Sequence, residues 1–144
     1  MASDFFNYTV SKGHKVYAYE FGNELAGSKG IEAQITPQQY ALDFMVFVDL
    51  VRQYFGSGPD APRLVTPDGT FDPAFLSSFL SLLTDEYKPD IVTHHLYSLG
   101  AGNTPACATN ALTPRKLDSI KTTAAQVNTT VSLYSPQSEQ WVGE

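Results

Sequence analysis

The sequence predicts an α/β fold, a partial (β/α)8 TIM barrel carrying roughly half of the eight repeats. Three observations predict it. Helix and strand signals alternate from one end of the chain to the other, the pattern of parallel strands joined by helical crossovers. Residues suited to chemistry gather where four strands end: Asn23-Glu24, Asp68, His94-His95 with Tyr97, and Glu144. The chain has 144 residues, whereas a complete barrel needs about 200 or more. A doubly wound open sheet is the other closure for such alternation. It favours a glycine-rich phosphate turn after a strand, and Gly27-Ser28-Lys29-Gly30 matches that poorly.

Each element has a local cause. Ser3 is suited to cap a short helix running to about Lys12, with Gly13 at its left-handed end. Lys15 to Phe21 is apolar and aromatic and predicts a strand. Thr36 and Pro37 open the clearest helix, whose Tyr40, Phe44, Phe47, Val48 and Val51 recur at three and four. Arg63 to Gly69 predicts a short strand running into a turn, with Asp68 as a turn residue. Asp72-Pro73 starts another helix, with Phe75, Leu76, Phe79, Leu80 and Leu83 on one side. Ile91 to about Tyr97 predicts a strand, and Gly100 to Thr113 a long loop. Thr113-Pro114 starts a helix with Leu117, Ile120, Ala124 and Val127 on one face. Val131 to Tyr134 fits a short strand or an extended turn, and Glu139 to Glu144 a final strand.

Composition excludes several classes. The chain is 42% hydrophobic and 12% aromatic, which is enough for a core. Net charge is −6 with 9 Lys and Arg and no basic run, so nucleic acid is not an expected partner. No apolar run reaches membrane-spanning length. The single cysteine, Cys107, leaves no internal disulfide framework, and the histidines have no metal-ligand spacing, so neither metal nor cofactor is expected. Two sequons, Asn7-Tyr8-Thr9 and Asn128-Thr129-Thr130, point to a secreted, extracellular or vacuolar/lysosomal protein, although no signal peptide is visible at the start.

Two glutamates at the ends of separate parallel strands suit retaining glycoside hydrolysis. One carboxylic acid protonates the leaving oxygen while the other attacks the anomeric carbon, the two carboxyl groups being about 5–5.5 Å apart. An amide beside the acid can bond a sugar hydroxyl. His95 and Tyr97 share a strand face and are placed to support the nucleophile; His94 faces the other way and is read as structural. Glu20 shares parity with Glu24 but lies deeper, where it is expected to pair with a basic or imidazole group.

The ordered set "YEFGNEL" (Tyr19–Leu25), "VTHHLYSLG" (Val92–Gly100) and "WVGE" (Trp141–Glu144) resembles the heparanase-type β-glucuronidases of glycoside hydrolase family 79, and their plant heparanase-like branch in particular. The resemblance implies about strands 4 to 7 of the barrel. It implies Glu24 as acid/base, Glu144 as nucleophile, Asn23 as sugar-binding, and His95 with Tyr97 as the matching sixth-strand motif. The implied partner is a carbohydrate, a glucuronide-bearing glycan or glycoside. Residues 52–63, "RQYFGSGPDAPR", lack the basic character of the corresponding animal heparanase segment and do not point to heparan sulfate. Another β-glycosidase of the same clan and a truncated carbohydrate-binding product are the alternatives. With four strands and a single partial catalytic domain over 1–144, the chain by itself is expected to be inactive.

Overall fold

Side-chain caps set where two of the helices begin. In the computed structural model, which describes residues 2–26, 34–100 and 102–144, the Thr36 hydroxyl accepts from the Gln39 N–H (3.2 Å) and starts α2, Pro37–Phe55. Asp72 accepts from the Ala74 and Phe75 N–H groups (2.8 and 3.0 Å) and starts α3, Pro73–Leu82. Both helices carry Pro in the first turn, where its missing N–H has no partner to lose. Ahead of them lie α1, Ala2–Ser11, and β1, Ala18–Glu20. Strands β2, Arg63–Thr66, and β3, Ile91–His94, flank α3. Then come α4, Ala106–Ala111, α5, Pro114–Tyr134, and β4, Glu139–Val142.

The four strands form one parallel sheet in the order β1-β2-β3-β4. Among the described strands the order shows no reversal of the kind that marks the switch point of a doubly wound sheet. It is compatible with part of a (β/α)8 barrel. Among the described residues α2 packs on α3 and α3 on α5. The core between them and the sheet contains the predicted stripes: Phe44, Val48, Val51, Phe75, Leu76, Phe79 and Leu80 are all buried.

Four expectations need correction. Residues Val131–Tyr134 are the last turn of α5, not a strand: Val131 is buried four residues after Val127, which is helical spacing. Leu117 and Ile120 do not reach the core and are about half exposed (46% and 45%). A helix of 21 residues is roughly 30 Å long, far longer than a four-residue strand, so its first half overhangs the sheet. The expected loop after Gly100 contains α4. The first strand is also shorter than Lys15–Phe21, because only Ala18–Glu20 pair in register with β2. Gly27 to Gly30 lies outside the described residues.

One buried hydroxyl ties the core to the sheet's C-terminal end. Tyr40 Oη donates to the Phe21 carbonyl and meets Thr66 Oγ1, each at 2.6 Å. Tyr40→Phe keeps the ring but leaves both partners unsatisfied. It is expected to lower stability by about 1–3 kcal/mol in chemical denaturation. An unchanged midpoint would show that water replaces the hydroxyl at no cost.

Candidate active site

Past β1 the chain leaves the strand rather than continuing its alternation. Gly22 (φ 90°) turns it, and Glu24 is held at φ 53°, a left-handed conformation uncommon for a side-chain-bearing residue. The Glu24 N–H donates to the Asp68 carbonyl at 2.7 Å and fixes that turn. Glu24 thus reaches the site through a strained turn, not through strand parity with Glu20. Asn23 sits exposed on the same turn.

After β2, Asp68 also takes a positive φ (48°). Its N–H donates to Thr93 Oγ1 at 3.1 Å, and its carboxylate, buried with the turn, lies 2.6 Å from His95 Nε2. Asp68 is therefore a turn residue and a member of the polar cluster at once. The sequence placed Asp68 at a strand end with the other polar residues but read it as a turn residue. Glu20 is corrected as well: its partner among the described residues is the Thr93 hydroxyl, from which it accepts at 2.7 Å, and not a cation or imidazole. Burial pushes its carboxyl up, the Thr93 bond opposes that, and neighbouring Asp68 adds to the rise.

His95 is the hub. Its N–H donates to the Gly69 carbonyl (2.9 Å), and its ring is almost fully buried. Nδ1 lies 3.0 Å from Glu24 Oε1, and Nε2 points at Asp68. Burial disfavours the charged ring, but the hydrogen bonds to Glu24 and Asp68 and the charges of Asp68 and Glu144 outweigh it. The imidazole pKa is raised. His94 faces away into a small cavity with Phe71, Phe75 and Leu76, and burial lowers its pKa.

Beyond β4 the ladder continues: the Gly143 N–H donates to the His94 carbonyl (3.0 Å) and the Leu96 N–H to the Glu144 carbonyl (2.8 Å). These bonds carry Glu144 to the level of the other three turns. Glu144 Oε2 lies 3.8 Å from His95 Nδ1 and accepts from the Tyr97 hydroxyl. That bond to Glu144 is the main reason the Tyr97 pKa is raised. Tyr97 is exposed, its ring edge-on to His95 at 6.4 Å. Thus Glu24 and Glu144 both approach one nitrogen, Nδ1. Their distances from it, 3.0 and 3.8 Å, cap the gap between the two oxygens at a value that includes the about 5–5.5 Å of retaining glycosidases. His95 stands nearer to Glu24 than to Glu144, where the sequence suggested support for the latter. Among the described residues no group of three His, Cys, Asp or Glu side chains is arranged to hold a metal, and no helix is long and apolar enough to cross a membrane.

Comparison with known proteins identifies the family. The family described as Glycosyl hydrolase family 79, N-terminal domain, matches residues 1–144. Heparanase-like protein 2 and Heparanase-like protein 1 of Arabidopsis thaliana are each 38% identical to the chain over 98% of its length. Baicalin-beta-D-glucuronidase of Scutellaria baicalensis is 26% identical over 95%. The chain spans 26% of the length of each of these relatives. With a family match along its whole sequence and plant relatives at this identity, the chain belongs to glycosyl hydrolase family 79, alongside the heparanase-like proteins.

Proposed function

We propose that this segment supplies the catalytic pair of a retaining β-glycosidase that hydrolyses β-glucuronides. The observation that carries the reading is the convergence of Glu24 and Glu144 on His95 Nδ1 from the ends of β1 and β4. We number these strands four and seven of a complete barrel. Glu144 attacks the anomeric carbon while Glu24 protonates the departing glycosidic oxygen, giving a covalent glycosyl-enzyme. Glu24 then takes a proton from the water that releases the sugar. Tyr97 donates to the nucleophile and fixes its orientation. Asn23, exposed beside the acid, bonds a sugar hydroxyl. Relatedness to a baicalin β-glucuronidase supports the glucuronide as substrate. Asn7 and Asn128 lie on exposed helix positions, which suits glycosylation in a secreted or vacuolar/lysosomal protein.

The test is a 2-deoxy-2-fluoro-β-glucuronyl fluoride given to a full-length chain carrying this segment, followed by peptide mass spectrometry. The label is expected on Glu144, with the glucoside, xyloside and galactoside analogues labelling more slowly. Label on Glu24 or elsewhere would overturn the assignment, and faster labelling by another sugar would overturn the substrate. The 144-residue chain alone is expected to take no label. Among the described residues four strands carry the site, half of what a complete barrel offers to hold groups that catalysis needs placed to within about 0.5 Å.

A further inference from the structure

The mechanism above leaves one buried carboxylate without a task. Asp68 touches both halves of the acid/base region. Its carbonyl accepts from the Glu24 N–H at 2.7 Å, and its carboxylate meets His95 Nε2 at 2.6 Å. The next residue reinforces the frame: the Gly69 carbonyl accepts from the His95 N–H. A Cβ on Gly69 would lie 3.3 Å from Glu24 Cα, tighter than such contacts normally run. The turn at residues 68 and 69 is thus a brace between the backbones of Glu24 and His95.

The ring nitrogens also impose proton bookkeeping. A neutral imidazole has one N–H, yet His95 faces a carboxylate at each nitrogen. Three arrangements satisfy both contacts with one extra proton. His95 carries both N–H groups and both carboxyls are ionised, or Glu24 carries the proton and donates it to a bare Nδ1, or Asp68 carries it and donates to a bare Nε2. Asp68 accepts from Nε2–H in the first two. We propose that Asp68 is a positioning residue that braces Glu24 through its backbone and, through the His95 ring, holds the proton that Glu24 delivers to the leaving oxygen. This rests on Glu24 being the acid/base.

The groups around the pair decide the sign. Asp68 faces Nε2, Glu144 faces Nδ1 beside Glu24, Tyr97 lies edge-on to the ring, Glu20 reaches the cluster through Thr93, and His94 adjoins it in sequence. Asp68 is the negative charge in direct contact with the ring on the side away from Glu24. Removing its charge weakens the hold on the shared proton, so the alkaline limb of the pH profile moves to lower pH.

The experiment measures kcat/KM against pH for an aryl β-glucuronide in a full-length chain carrying this segment, comparing wild type, Asp68→Asn and Gly69→Ala, with Glu24→Gln as reference. Asp68→Asn is expected to move the alkaline limb down by about one pH unit, the low end of what a contacting charge does. Gly69→Ala is expected to lower kcat with the limb unmoved, since it shifts Glu24 but keeps the charge. An unmoved limb in a folded Asp68→Asn protein would overturn the proposal. Should that variant not fold, ¹⁵N-histidine spectra of the wild type decide instead, with His95 assigned by its loss in His95→Gln. Nε2 protonated near pH 7, with Nδ1 either protonated or bare, supports it; a neutral ring with protonated Nδ1 and bare Nε2 refutes it. If Glu24→Gln keeps full activity on every leaving group, the acid/base reading itself has failed. If Glu24→Gln loses activity as an acid/base should while the Asp68→Asn limb stays put, only the role of Asp68 has failed.

Discussion

Glu144→Gln, in a full-length chain carrying this segment, is expected to lower kcat on β-glucuronides by on the order of 10⁴-fold or more, as removal of a covalent nucleophile does elsewhere. The substitution is nearly isosteric. The amide oxygen can still accept from the Tyr97 hydroxyl, and the backbone bond from Leu96 N–H to the residue-144 carbonyl is untouched. What disappears is a negatively charged oxygen able to form a bond to the anomeric carbon. No leaving group compensates for that, because both good and poor aglycones require the same attack. The loss should therefore be similar for a nitrophenyl glucuronide and a plain alkyl glucuronide. A residual rate within about tenfold of wild type, roughly 1.4 kcal/mol, would remove Glu144 from the mechanism.

The parts of this site that were legible in the sequence are those with local causes. Thr36 and Asp72 announce their helices because a cap acts within three residues of itself. The strand ends were legible because parallel strands separated by helices must return their C-terminal ends to one side. Asn23-Glu24, His95 with Tyr97, and Glu144 could then be placed together before any contact was known. Three other features depend on contacts remote in sequence. Asp68 sits in Thr66-Pro67-Asp68-Gly69, which is sufficient as a turn, and nothing local says that His95, 27 residues on, will arrive against its carboxylate. Glu20 finds Thr93 across 73 positions. The β-branched run at the end of α5 reads as extended, and only burial of Val131 against the sheet makes it helical. Positive φ at Glu24 and Asp68 was equally invisible, since both residues are there because a neighbouring turn holds them.

Glu24→Gln is expected to behave differently from Glu144→Gln, and the difference separates the two roles. An amide cannot protonate the departing oxygen, and general acid catalysis contributes about 10²–10⁴-fold. That loss should appear in full for alkyl glucuronides, whose alkoxide leaves poorly. For a dinitrophenyl glucuronide it should nearly vanish from the first step, because that anion departs unaided. The second step then becomes limiting, since no base remains to activate water, and the glycosyl-enzyme accumulates on Glu144. Azide needs no base. It should accelerate turnover and give a glycosyl azide of retained configuration. The alkaline limb should vanish too, because the proton shared between Glu24 and His95 no longer reaches substrate. His95 cannot substitute: its Nδ1 sits behind Glu24, and Nε2 is occupied by Asp68. Equal losses across leaving groups with no azide effect would mean that Glu24 only holds the site together, and the acid would have to be sought among other groups at the same end of the sheet.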